Sequence, residues 1–229
     1  MRVFTLVFLV GLSLGAVGQT KTYVGVKAGG QINSAYMVHT VFNFRTKNTF
    51  KSGINSGITI KHFPKKRNTF FNTGIQGGIN FMQRGWVQSF KGTGLPNYSV
   101  AMNYLEFPIE GFGYFGNKTK YFIGGGFFAE YLLNSSKDED PTNLGILDFA
   151  TYEEDRDRRG GYGARFSGGV FRDFPFGSLH LEGFFTYSFS NFIDAGDLSN
   201  DQLPDISNLW SLGVSVGYFI SFGKLKLVE

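Results

Sequence analysis

The residues of this chain that could do chemistry are charged side chains isolated within apolar, glycine-rich and aromatic segments. Carboxylates in such positions could act as a general acid and base. Carboxylates placed together with Lys or Arg could instead form an ion path or a network of salt bridges. The candidates that share the polar faces of their segments are Lys27, Lys61, Glu106, Glu110, Glu130, Arg165 and Glu182. We predict that they form one group inside the protein.

The spacing of these residues gives little support to catalysis. Glu106 and Glu110 could be a pair of carboxylates, but four residues along a strand separate them by roughly 13 Å, beyond the spacing that glycosidases use. His180 lies two residues from Glu182, and strand alternation alone produces that spacing. The sequence contains no phosphate-binding loop and no pair of metal-ligating His residues. We therefore predict a protein without catalytic residues, metal or cofactor.

Eight segments position these charged residues, and each alternates apolar and polar side chains with the period of two that is typical of a β-strand. In the last segment, apolar residues from Trp210 to Phe222 occupy every second position, and Ser or Gly fills most positions between them. The predicted strands run over about 23–32, 53–63, 69–82, 100–115, 120–133, 162–172, 178–189 and 210–222. Each is long enough to cross a bilayer as a tilted strand, which needs about 9–11 residues.

The composition of the polar face distinguishes between two kinds of eight-stranded barrel. A secreted, lipocalin-like barrel would place its apolar side chains in a soluble core, and its water-facing side would be rich in Lys and Glu. Here the polar face holds mostly Gly, Ser, Asn, Thr and Gln, with roughly one charge per strand. We therefore predict an all-β, eight-stranded antiparallel up-and-down transmembrane β-barrel whose charged residues face the lumen.

The lumen of such a barrel is just wide enough for side chains to fill it. We expect the inward charges to pair as a structural plug, while an ion path or a binding site is the alternative. Aromatic residues toward the strand ends predict the girdles that meet the two membrane interfaces. These residues are Tyr23, Tyr104, Tyr121, Tyr131, Tyr162, Tyr187, Trp210 and Tyr218.

The N-terminal residues predict export. Arg2 precedes an apolar run too short to span a bilayer, and Ala16-Val17-Gly18 offers a cleavage site. We expect residues 1–18 to be a cleaved signal peptide and residues 19–229 to be one barrel domain. The absence of Cys excludes disulfides and Cys-ligated metal, while 32 Gly and 27 Phe suit barrel walls.

The connections between the predicted strands alternate between short and long. Short ones hold Pro64 to Arg67, Gly116 to Lys118 and Pro175 to Gly177, and long ones cover about 33–52, 83–99, 134–161 and 190–208. Outer-membrane barrels have short periplasmic turns and longer extracellular loops, so we expect both chain ends in the periplasm. The last two long loops are acidic, but the spacing of their acidic residues is not that of a Ca²⁺ loop.

Four short motifs resemble the PorT-like outer-membrane β-barrel proteins common in Bacteroidetes. Asn103-Tyr104-Leu105-Glu106-Phe107-Pro108-Ile109 is similar to their Tyr-Leu-Glu-Ile-Pro strand. The other similar places are Gly25-Val26-Lys27-Ala28-Gly29-Gly30, Gly124-Gly125-Gly126 and Gly217-Tyr218-Phe219. The resemblance implies the outer membrane of a Gram-negative cell and an eight-stranded barrel, and the namesake is linked to secretion and maturation of exported proteins. The chain departs from many such barrels because Phe222 is followed by Gly223 to Glu229.

These observations predict a non-enzymatic barrel that acts structurally, as an adhesin or as a secretion accessory through its extracellular loops. The expected partners are outer-membrane lipid and an extracellular or secretion-machinery protein, and the barrel is expected to be a monomer. Nucleic-acid binding has little support because the basic residues are scattered. The alternatives are a narrow pore or small-ligand binder that uses the lumen charges, and a secreted soluble barrel.

Overall fold

The computed structural model describes residues 20–39, 44–45, 48–64, 66–67, 70–88, 97–138, 157–194, 204–223 and 227–228. Eight long strands are β1 (Lys21–His39), β2 (Lys51–Phe63), β3 (Asn72–Gln88), β4 (Tyr98–Gly116), β5 (Thr119–Asp138), β6 (Gly160–Phe174), β7 (Gly177–Ser188) and β8 (Ile206–Phe222). Two-residue strands occur at Phe44–Arg45, Asn48–Thr49, Lys66–Arg67 and Leu227–Val228. The predicted signal peptide lies outside the described residues. Across the described ranges, no helix is long and apolar enough to cross a membrane.

The eight strands form one closed antiparallel sheet. Each strand pairs with the next along the chain, and β1 also pairs with β8. This closing register runs without a break from Thr22 opposite Phe222 to Val38 opposite Ile206. Closure leaves no long strand with an unpaired edge, which is a requirement for strands in hydrocarbon. The prediction of an eight-stranded antiparallel up-and-down barrel is confirmed.

The two ends of the barrel differ in their connections. At one end, which we call the short-turn end, Asn117 and Lys118 alone join β4 to β5, and Pro175 and Phe176 alone join β6 to β7. Gly116 opens the first of these turns at a φ of 102°, a conformation that favours glycine. At the opposite, long-loop end the connections are 40–50, 89–97, 139–159 and 189–205. The predicted alternation is clear at these two turns, whereas the connection between β2 and β3, over 64–71, is longer than the predicted turn from Pro64 to Arg67.

Several strands continue further toward the long-loop end than predicted. β3 ends at Gln88 rather than about residue 82, and β5 ends at Asp138 rather than about residue 133. Strand pairing continues there although the outward residues become polar, as at Asn103 and Asn134, whose side chains form a 2.7 Å hydrogen bond. The apolar alternation ends before the hydrogen-bonded ladder does, and for this reason the sequence pattern predicts strands that are too short.

The outer and inner faces of the barrel have opposite polarity. Aliphatic side chains are exposed around the middle of the outer wall, for example Val26, Ile58 and Ile79. Exposed aromatic rings lie toward the short-turn end, where Phe115 stacks on Phe70 and on Tyr121 with centroid distances of 5.4 Å. The buried polar and charged residues lie inside. The predicted orientation, with apolar side chains outward and charges inward, is confirmed, and the soluble barrel with an apolar core is excluded.

The predicted aromatic girdles need one correction. Tyr23 and Tyr104 are buried inside the barrel, whereas Tyr121, Tyr131, Tyr162 and Tyr218 are exposed on the outer wall as expected. Tyr187 and Trp210 are half-buried. Tyr23 and Tyr104 share the strand parity of the inward charges Lys27 and Glu106, so alternation places them in the lumen regardless of their aromatic character.

Candidate functional site: the charged lumen

Arg165 on β6 is the centre of the lumen. Its Nη1 donates to Glu106 Oε1 at 3.0 Å and its Nη2 donates to Glu182 Oε1 at 3.1 Å. Its Nε forms an ion pair with Glu110 Oε1 at 3.2 Å. One fully buried guanidinium therefore connects carboxylates from β4 and β7 across the interior.

Two lysines complete the partners of Glu182. Lys27 Nζ donates to Glu182 Oε1 at 2.9 Å, and Lys61 Nζ donates to Oε2 at 3.2 Å. These contacts join β1 and β2 to β7. Glu182 thus accepts from three cations, because Arg165 also donates to it.

Arg84 on β3 is a member of this group that the sequence reasoning missed. Its Nη2 donates to Glu106 Oε2 at 2.5 Å, and its Nη1 contacts both Glu130 and Ser188. The sequence pattern places Arg84 in the long loop over 83–99, although Arg84 continues the inward parity of Gln76 and Asn80. Extending this parity from Asn80 would have predicted that Arg84 faces the lumen.

Neutral donors add hydrogen bonds to two of these carboxylates. Gln76 and Ser167 donate to Glu110 at 3.0 and 2.6 Å, and Asn80 donates to Glu106 at 3.1 Å. Buried ion pairs are stable only when such additional hydrogen bonds are made.

The group is electrically balanced. It contains four cations and four carboxylates, all buried: Lys27, Lys61, Arg84, Arg165, Glu106, Glu110, Glu130 and Glu182. All seven predicted lumen residues are in it, together with Arg84. We call this set the charged layer.

Two apolar layers enclose the charged layer. The short-turn layer is a cluster of aromatic rings, and the long-loop layer is rich in Met. The short-turn layer consists of Tyr23, Phe63, Phe112, Tyr114, Phe122, Phe171 and Phe219. The long-loop layer consists of Ala35, Met37, Met82, Trp86, Val100, Met102, Tyr104, Leu132, Phe184, Phe192, Ile193 and Leu209.

Part of a predicted extracellular loop contributes to the long-loop layer. Phe192 packs on Trp86 with a centroid distance of 5.0 Å, and both rings are buried. The backbone N–H groups of Phe192 and Ile193 donate to the backbone oxygen and the hydroxyl of Ser207, at 3.0 and 2.9 Å. Residues 190–194, which we call the cap, therefore fold into the mouth of the barrel.

Glycine allows the charged layer to fit against the wall. A Cβ at Gly126 would lie 2.0 Å from the backbone oxygen of Ile109 and 2.6 Å from the Cα of Glu110. Gly126 faces Glu110 across the β4–β5 ladder. Only a residue without a side chain leaves space for Glu110 at this position.

Two features that resemble hydrolase chemistry lie inside the barrel. Ser178 Oγ is 3.0 Å from His180 Nε2, but His180 Nδ1 has no hydrogen-bond partner among the described residues, and its ring stacks on Phe219. Gly213-Val214-Ser215-Val216-Gly217 matches the Gly-x-Ser-x-Gly pattern, yet it lies within β8 and not at the strand-to-helix turn that exposes a nucleophile.

The predicted separation of Glu106 and Glu110 was wrong for their side chains. Both carboxylates contact Arg165, at 3.0 and 3.2 Å, so their oxygens are closer together than the roughly 13 Å derived from strand rise. An acid–base role is opposed by a different observation, because the carboxylates of Glu106 and Glu110 each already bind a guanidinium.

The structure gives no metal site within the described ranges, where no group of three or more His, Asp or Glu could hold an ion. Asp194 accepts from Arg158 Nε at 3.1 Å, and Asp157 accepts from the backbone of Asp194 at 2.9 Å. Most acidic residues of the predicted loops, in 139–156 and 195–203, lie outside the described residues.

The fold and the charged lumen define an outer-membrane β-barrel. Residues 11–194 match the family described as "Outer membrane protein beta-barrel domain". This match covers most of the chain, and the chain belongs to that family, which is a family of the outer membrane.

Solved outer-membrane proteins resemble this chain at low sequence identity. OprG from Pseudomonas aeruginosa is 12% identical with a TM-score of 0.50, covering 90% of this chain and 98% of OprG. Ail of Yersinia pestis is 10% identical, with a TM-score of 0.35 and coverage of 86% and 98%. The protease OmpT from Escherichia coli is 8% identical, with a TM-score of 0.37 and coverage of 88% and 96%. None of the curated proteins compared with the sequence matches it significantly.

Proposed function

We propose that this outer-membrane barrel is a non-conducting, non-enzymatic protein that acts structurally or binds surface partners through its long loops. The observation that carries the proposal is the closure of the lumen by the charged layer between two apolar layers. An ion would have to displace paired charges and then cross buried aromatic rings. Both steps are costly in a lumen that side chains fill.

We also propose that the barrel is a PorT-like protein whose partner belongs to the machinery that secretes or matures exported proteins. The support is the segment from Asn103 to Ile109. Within it, Glu106 accepts from both arginines of the charged layer, which gives that segment a structural role in this chain. We further propose an exported monomer whose residues 1–18 are removed.

Planar-bilayer recording tests the closed lumen. The refolded barrel should give no steady conductance at moderate voltage. A steady conductance that Glu106→Gln or Arg165→Gln abolishes would contradict the proposal, because the charged layer would then line an ion path. Arg158→Gln is the matched control, since Arg158 is exposed outside the lumen.

A second candidate is the binding of a small ligand at the long-loop end. A cavity of about 840 Å³ there is lined by Glu130, Arg158, Asn191 and Asp194, among others. Glucose, glutamate and spermidine serve as neutral, anionic and cationic probes of this cavity. A thermal shift with one probe that Asn191→Ala removes would support the second candidate, and no shift with any of them would count against it.

A further inference from the structure

The two ends of the barrel carry opposite net charge. The three short connections, 64–71, 117–118 and 175–176, contain four basic residues and no acidic residue. The four long connections contain six basic and eleven acidic residues, a net charge of −5. The charged layer between the ends is neutral. The difference in net charge therefore lies between the connections at the two ends of the barrel, and not in its lumen.

Basic residues at the short-turn end lie at the level of the aromatic girdle. Lys118 occupies a two-residue turn and is exposed, and Arg172 is exposed on the outer wall. The Arg172 guanidinium lies 5.5 Å from the centroid of Phe174, which in turn stacks on Phe176 at 5.3 Å. We call Lys118 and Arg172 the basic collar.

The short turns place these charges close to the lipid. A two-residue turn cannot carry a side chain far beyond the barrel wall, and exposed aromatic rings mark the interface immediately beside it. Arg172 has the outward parity of Phe166, so its aliphatic stem lies along the lipid-facing wall and its charged head extends toward the interface.

Other basic residues at this end are already paired with a carboxylate. Lys21 and Lys120 both donate to Asp173 Oδ2 at 3.0 Å, and Tyr23 donates to the same carboxylate. Asp173 is the only acidic residue that the described short-turn end contains. Its contacts are with Lys21, Lys120 and Tyr23 on the inner side of the short-turn end, so it is not positioned to neutralise the collar.

We propose that the basic collar binds the anionic headgroups of phospholipids in the membrane leaflet at the short-turn end. A Lys or Arg close to an anionic membrane surface contributes about 1 kcal/mol of attraction, which is about a fivefold change in association. The collar would select phosphatidylglycerol over phosphatidylcholine among the lipids that touch the barrel. This inference does not depend on whether the lumen conducts.

Spin-labelled lipids test the proposal on the refolded full chain in phosphatidylcholine vesicles. The ratio of motionally restricted phosphatidylglycerol to restricted phosphatidylcholine should exceed one at low salt. Lys118→Gln with Arg172→Gln should lower that ratio, by up to about fivefold per charge. Lys137→Gln with Arg158→Gln removes the same charge at the other end and should leave the ratio unchanged.

Four results would overturn the proposal. The first is a wild-type ratio of one, and the second is an equal fall in both double variants. The third is binding to isolated peptidoglycan that requires the collar while the lipid ratio stays at one. High salt should bring the wild-type ratio toward one because screening weakens exposed charges, and a ratio insensitive to salt would also contradict it. An electrophoretic shift between folded and unfolded barrel verifies that each variant is folded.

Discussion

Removing the guanidinium of Arg165 should destabilise the barrel strongly. Arg165→Met keeps most of the side-chain volume but removes the partner of three buried carboxylates. Glu106 keeps Arg84, and Glu182 keeps Lys27 and Lys61. Of the three, Glu110 would be left without an ion-pair partner among the described residues.

The structure sets the size of this effect. Removing one partner of a buried ion pair costs about 3–5 kcal/mol, because an uncompensated charge remains. Gln76 and Ser167 still donate to Glu110, but neither carries a charge. The second substitution Glu110→Gln should therefore recover about 1–3 kcal/mol, which is the coupling expected between residues in contact.

Equilibrium unfolding by urea in phospholipid vesicles, followed by tryptophan fluorescence, measures both changes. Arg158→Met is the matched control and should change the free energy of unfolding by less than about 0.5 kcal/mol, because its side chain is exposed. A loss below about 1 kcal/mol for Arg165→Met would refute the reasoning. So would a double variant less stable than Arg165→Met alone.

Three further predictions concern the wall and the mouth. Gly126→Val should prevent folding because the new Cβ would overlap β4. Gly111→Ala is the control and should fold normally, because nothing lies within 4 Å of a Cβ at that position. Equal yields of folded barrel from the two variants would contradict the prediction. Phe192→Ala should cost about 3–5 kcal/mol and should increase acrylamide quenching of Trp86, whereas unchanged quenching would mean that the cap does not shield that ring. Ile79→Arg should cost about 2–4 kcal/mol in vesicles if the exposed middle of the wall contacts hydrocarbon, and a cost near zero would oppose that placement.

The strand count, the closure and the direction of each face could be predicted from the sequence, because a period of two assigns every residue to one side. The same rule places Tyr23 and Tyr104 in the lumen. The prediction that both belong to the girdles was wrong because it gave aromatic character more weight than parity. Strand ends were less predictable. Toward the long-loop end the outward residues become polar, while the inward face carries the Met and aromatic residues of the long-loop layer. Hydrogen bonding therefore continues beyond the point where an outward apolar pattern could mark the strands.

The membership of the charged layer could be predicted, but its connections could not. Parity gives the residues that face inward, and Arg84 was missed only because its strand was ended too early. The sharing of one guanidinium by Glu106, Glu110 and Glu182 depends on the stagger between distant strands, which local sequence does not contain. The folding of the cap into the mouth likewise depends on a contact with Trp86, about a hundred residues earlier.

The pairing of Lys27 with Glu182 also affects how the cylinder could come apart. The junction of β1 and β8 joins the two ends of the chain, and it is the place where a barrel would unzip sideways into the bilayer. Lys27 lies on β1 and Glu182 on β7, 155 residues apart. This buried ion pair therefore links β1 to β7 across β8, on the inner side of the junction. Parting the two strands would break it in a medium of low polarity.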